Sequence, residues 1–103
     1  MTAASADTPP LHRDTRVVVS RDAVSAELER ETVILGMHDG VYYGLDPVGT
    51  RIWQLAASPT TLGAIADALV AEYDVEAARA WEDLVALTRD LLAAGLLERA
   101  AAE

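Results

Sequence analysis

The chain of 103 residues contains no cysteine and no phenylalanine, and only two histidines. The missing cysteine removes disulfides, a thiolate nucleophile and any Cys-ligated metal centre. His12 stands in the N-terminal stretch and His38 beside a turn, which gives neither a metal-ligand spacing nor a triad. Ser20, Ser25 and Ser58 have no histidine partner in their sequence context. GxGxxG, GxxxxGK[ST] and HExxH do not occur, and Gly40, Gly44 and Gly49 are spaced for turns and helix packing. The adjacent pair Glu82-Asp83 reads as a solvated helix face, because acid–base chemistry needs a cleft and shifted pKa values. No active site, metal site or cofactor site is legible. The expected function is binding, not catalysis, with no cofactor.

Basic residues are the other shortage. Eight stand against seventeen acidic ones, for a formal net charge of −9. Nucleic acids are held largely by Lys and Arg neutralising phosphates, so this balance argues against DNA or RNA as a partner. It argues equally against an anionic membrane surface. No apolar run approaches the ~20 residues of a membrane span. The N-terminus MTAASADTPPLHRD lacks the basic start and apolar run of a signal peptide, so a cytoplasmic location is expected.

Just over half of the residues are apolar, which suits one small globular domain. With Phe absent, Leu, Val, Ile and Ala fill the core, helped by Trp53, Trp81 and three tyrosines. Residues 1–15, rich in Thr, Ala, Ser and Pro, read as a disordered tail, residues 16–98 as the folded domain, and residues 99–103 as a frayed C-terminus.

The best-punctuated stretch runs from Thr32 to Trp53, TVILGMHDGVYYGLDPVGTRIW. Asp39-Gly40 is a two-residue hairpin signal, since a type I′ turn needs positive φ at both central positions. That turn pairs Met37 with Tyr42, Gly36 with Tyr43 and Ile34 with Leu45. One face of the hairpin then holds Ile34, Val41, Tyr43 and Leu45, and the other Val33, Leu35, Met37 and Tyr42. Both are apolar, so either helices and the N-terminal segment cover them or one is kept for a partner. Before the hairpin, Arg16–Ser20 is a short strand or a docked lead-in. Ala23–Glu29 alternates as a half-buried strand, with Val24, Ala26 and Leu28 on one side.

Three helices follow. Asp46-Pro47 starts the first, with Asp46 as cap and Pro47 in the first turn. Its apolar stripe is Val48, Ile52, Leu55 and Ala56, with Trp53 on the flank. Thr60 or Thr61 caps the second, which carries Leu62, Ile65, Ala66, Leu69, Val70 and Tyr73 at helical spacing. Asp74 caps the third, which runs to Ala94 and stops at Gly95, after which Leu96 and Leu97 fold back as a clasp. The third helix has two stripes: Ala77, Ala80, Leu84, Leu87 and Leu91, and a rotated set of Ala78, Trp81, Val85, Thr88 and Leu92. The second set is either wedged between neighbours or lines a groove.

The order of strands and helices fits an α+β fold, a winged helix-turn-helix-like arrangement. A DNA-reading version would need a basic recognition helix. The third helix instead sets Arg79 and Arg89 against Glu82, Asp83 and Asp90, with Glu76 at its start.

The strand pair TVILGMHDGVYYGL, the junction LDPVGTRIWQL, the segment LVAEYDV and the helix DLVALTRDLLAAGLLE together resemble the PqqD-like family, or RiPP recognition elements. The junction is similar to the family's L-N-x-x-G-x-x-I-W, with Asp46 at the usual Asn cap, and the resemblance covers Val24 to Glu98. It implies a three-stranded antiparallel sheet followed by three helices, without catalysis. It implies binding of the leader segment of a ribosomally made precursor peptide as an added strand, and its presentation to modifying enzymes. The free-standing length resembles the leader-binding proteins of lasso-peptide clusters, whose partners are a leader peptidase and a cyclase. PqqD itself, the peptide chaperone of pyrroloquinoline quinone synthesis, is the alternative within the family. An acidic winged-helix adaptor or regulator is the alternative outside it.

The expected peptide-binding residues are Val41, Tyr42 and Tyr43 on the strand, with Trp81, Val85, Thr88 and Leu92 on the third helix. Trp81 and one tyrosine act as anchors, because aromatics dominate such hot spots. Tyr43 shares a face with Leu45 and belongs nearer the core, leaving Tyr42 nearer the partner. Arg89 is a candidate to pair with an acidic leader residue, or Glu82 and Asp83 with a basic one.

Overall fold

The computed structural model describes residues 10–29, 31–36, 40 and 42–100. Their elements in chain order are β1 (Arg16–Val19), β2 (Val24–Leu28), β3 (Glu31–Leu35), β4 (Tyr42–Leu45), α1 (Pro47–Leu55), β5 (Thr60–Thr61), α2 (Leu62–Glu72), α3 (Ala77–Ala93) and β6 (Leu97–Arg99). The fold is α+β. Two antiparallel three-stranded sheets, ordered β2-β3-β4 and β5-β1-β6, are tied together by the three helices.

The β3–β4 register differs from the expected one by two residues. Ile34 pairs with Tyr43 and Thr32 with Leu45, and the last described pair is Leu35 with Tyr42. A two-residue turn at Asp39-Gly40 does not fit this register. Gly40 N–H donates to Gly36 O at 2.7 Å, an i→i+4 closure, and Gly40 takes φ of +69°, in the left-handed region that glycine favours. Met37, His38, Asp39 and Val41 lie outside the described residues, as do Arg30 and residues 1–9 and 101–103. Because a slip of two residues preserves strand parity, the faces stand as expected. Thr32, Ile34 and Leu45 are buried, Tyr43 is half-buried, and α1 packs against this inner side.

The opposite face is open. Val24 is 54% exposed, Leu28 57% and Tyr42 69%. All five residues of β2 are exposed, so it is not the half-buried strand that its alternation predicts. Its Ser25 and Glu27 turn to α1 instead: Trp53 Nε1 donates to Ser25 Oγ at 3.1 Å, and Gln54 Nε2 donates to Glu27 at 3.0 Å. The described part of the N-terminal segment does not cover the open face. β1 joins the other sheet, between β5 and β6. Just before it, Gly63 N–H donates to Arg13 O at 2.9 Å, and the Arg13 guanidinium meets Asp67 at 2.9 Å. Residues 10–15, expected in the tail, are thus held on α2 where they are described, with Leu11 packed on the core. Residues 1–9 of the expected tail lie outside the described residues. At the other terminus, Glu98 and Arg99 pair with Val18 and Val17, so Arg99, expected in the frayed end, belongs to a strand.

The helix ends follow their local chemistry. Thr61 Oγ1 accepts from Ala64 N–H at 3.1 Å and caps α2. Asp74 does not cap α3: the cap position is Glu76, whose side chain makes no capping bond. α3 ends in a Schellman motif. Leu96 N–H bonds Leu91 O at 2.9 Å, Gly95 N–H bonds Leu92 O at 3.1 Å, and Gly95 sits at φ +78°. Leu91 and Leu96 close the motif as buried partners. Trp53, expected on the flank of α1, is a core residue, only 5% exposed.

Candidate functional site

β4 pairs on one side with β3 and carries no strand on the other among the described residues. An edge strand offers a row of backbone N–H and C=O groups to a further strand. Sequence fixes this edge firmly at one end. Asp46 Oδ1 accepts from Gly49 N–H at 2.7 Å, and Pro47 opens α1 where no N–H is needed. Gly49 fits a tight corner: a Cβ there would stand 3.2 Å from Asp46 Oδ1 and 3.3 Å from Leu45 Cβ, so these neighbours would have to shift slightly. The corner thus turns the chain directly from this edge strand into the helix behind the sheet.

Beside this edge lies a groove of about 700 Å³. Its strand wall is Tyr42, Tyr43, Gly44 and Leu45, and its helix wall is Leu87, Asp90, Leu91, Ala93 and Ala94. A second recess of about 420 Å³ continues it past Gly44, Leu45 and Leu87 to Asp46, Val48, Asp83 and Ile52. β4 and α3 therefore run in opposite directions along the groove, with Tyr42 at the Asp90 end and Asp46 at the Asp83 end. Gly44 leaves space beside the groove, since a Cβ there would meet nothing within 4 Å.

Two of the three expected strand residues fall within the described residues. Tyr42 and Tyr43 line the groove, Tyr42 exposed and Tyr43 half-buried against the core. Val41 lies outside the described residues. The helix residues are not the expected ones. Trp81, Val85, Thr88, Arg89 and Leu92 do not line either recess. Thr88 is 0% exposed and belongs to the core, as do Ala80, Leu84 and Leu91. At ~100° per residue, the stripe of Trp81, Val85 and Leu92 lies on the flank of α3 away from Asp83, Leu87, Asp90 and Ala94. Of the two stripes read from the sequence, the core stripe borders the groove through Leu87 and Leu91, and the rotated one is partly buried packing. A pattern of acidic, apolar and small residues at i, i+4, i+7 and i+11 (Asp83, Leu87, Asp90, Ala94) is the signal that hydrophobicity alone does not single out.

Arg51 on α1 meets Glu72 on α2 through two bonds of 2.8 and 2.9 Å. The Arg51 hydrogen bonds hold the Glu72 carboxyl below its ordinary range. Among the described residues no group of three His, Cys, Asp or Glu side chains could hold a metal, and no helix is long and apolar enough to cross a membrane.

With this geometry in hand, the chain can be set against known proteins. No curated protein sequence matches it. Among solved structures, TbiB1 in complex with the TbiA(beta) leader peptide is 39% identical, with a TM-score of 0.74 over 82% of this chain and 99% of that one. A lasso peptide synthetase B1 complexed with its leader peptide shares the fold at 24% identity, with a TM-score of 0.70 over 80% of this chain and 96% of that one. Residues 31–97, from the first residue of β3 to the first of β6, match the family model of coenzyme PQQ synthesis protein D, and the chain belongs to the PqqD family.

Proposed function

We propose that the protein binds the leader segment of a ribosomally made precursor peptide as a further strand on β4 and presents it to the enzymes that modify the precursor. The observation that carries this reading is the coincidence of an open strand edge, Tyr42–Leu45, with an apolar-floored groove against α3. Strand addition satisfies the edge with main-chain bonds whatever the peptide sequence, while alternate side chains enter the groove and supply selectivity. Tyr42, Tyr43, Leu45, Leu87 and Leu91 form the contact surface. The protein acts as a partner rather than a catalyst.

The 39% identical relative held with a leader peptide supports the lasso-peptide setting, in which a leader peptidase and a cyclase receive the presented precursor. The match to coenzyme PQQ synthesis protein D favours a second reading, service in pyrroloquinoline quinone synthesis. Both use the same edge. Titration of the labelled leader of its own precursor, followed by fluorescence anisotropy, tests the reading. Saturable binding that Tyr42→Ala weakens is expected, and no binding at tens of micromolar overturns it.

A further inference from the structure

The groove is one-sided in charge. Asp90 borders the recess beside Tyr42–Leu45, Asp46 and Asp83 border the adjoining one, and no basic side chain lines either among the described residues. The three carboxylates are engaged to different degrees. Asp46 commits one oxygen to the Gly49 N–H. Asp83 stands 3.5 Å from Arg79 in an exposed i,i+4 pair, the weak kind. Asp90 makes no side-chain hydrogen bond or ion pair among the described residues. Leu87 lies between Asp83 and Asp90 on the same side of α3, four residues after one and three before the other.

We infer that this groove selects leaders carrying two basic residues on the side that faces α3, one over Asp90 and one over Asp83 and Asp46, with an apolar residue between them over Leu87. The inference rests on the reading of β4 as the leader-docking strand. The spacing follows from two repeats. Asp83 and Asp90 are seven residues apart, about 10.5 Å along the helix. Side chains on one face of an extended strand recur about every 6.6 Å. Two strand steps, ~13 Å, span the carboxylates with the small remainder taken up by long Lys or Arg side chains, whereas one step falls short. The pattern is basic–x–apolar–x–basic, and the x residues point away from α3. The protein's own net charge of −9 acts in the same direction, steering cationic peptides toward it and repelling acidic ones.

The test is a selection from a displayed library of random extended peptides on the full chain and on a D83K/D90K variant. Both sites are exposed helix positions, and thermal melting checks that the variant is folded. The neutral D83N/D90N variant is run beside it. On the native chain, Arg and Lys are enriched over Asp and Glu at two positions four apart. Each such residue is worth about twofold to fivefold in affinity, as expected for exposed pairs, and the gain shrinks with added salt. D83N/D90N loses the preference, and D83K/D90K turns it toward Asp and Glu at the same positions. Peptides enriched with one common, charge-blind pattern on all three proteins overturn the charge selection and leave strand docking standing. No enrichment on any of them overturns the docking reading itself.

Discussion

The Asp46 carboxylate accepts the Gly49 N–H at 2.7 Å, and this bond joins the end of the edge strand β4 to the first turn of α1. A capping side chain removed to alanine costs about 1 kcal/mol, because a helix-end N–H is left without its partner. Asp46→Ala should lower the melting temperature by that equivalent, and Asp46→Asn, which keeps the acceptor, should stay near the native value. Equal losses in both variants would show that charge, not capping, matters there.

Thr88 is fully buried on α3, and its hydroxyl oxygen has no hydrogen-bond partner. Thr88→Val keeps the shape and removes the unsatisfied group, so stability should rise by roughly 1 kcal/mol in denaturant unfolding. Leader affinity should not change, since the side chain is shut away from the groove. A loss of affinity in a stable Thr88→Val protein would return this residue to the binding surface.

Arg51 and Glu72 give a pH signature. The Arg51 hydrogen bonds lower the Glu72 carboxyl's pKa in the folded protein. A carboxyl depressed on folding stabilises above its unfolded value, ~4.3, and that contribution disappears as pH falls through the folded value. The native chain should therefore melt above Glu72→Gln at neutral pH, with the gap closing in acid. Thermal melts across pH 7 to 3 check this, and the effect is small because both side chains are solvent-accessible. A gap unchanged with pH would mean that the ion pair contributes nothing measurable.

Much of this fold is written locally. Asp46-Pro47, Thr61 and Gly95 mark helix ends by side-chain acceptors or a left-handed residue, which need no tertiary knowledge. Strand parity groups Ile34, Tyr43 and Leu45 on one side in either register, because a two-residue slip leaves the faces intact, but with apolar residues on both faces the sequence does not say which one α1 covers. What lay beyond the sequence was set by long-range pairing. Val17 is the register partner of both Thr60 and Arg99, 43 and 82 residues away along the chain, and neither short segment advertises itself as a strand. The groove wall was hidden for a related reason. α3 shows apolar residues on two flanks, and only its position against β4 tells Leu87 and Asp90 from Trp81 and Leu92.

The central claim is that β4 receives the leader as a strand, with the Leu87–Asp90–Ala94 side of α3 as the opposite wall. Amide hydrogen exchange, read segment by segment with and without saturating leader peptide, tests it most directly. The account predicts new protection at Tyr42–Leu45 on leader addition, undiminished in Trp81→Ala and reduced in Tyr42→Ala. Protection that appears in the β5-β1-β6 sheet or around Trp81, while β4 exchanges as before, would contradict it.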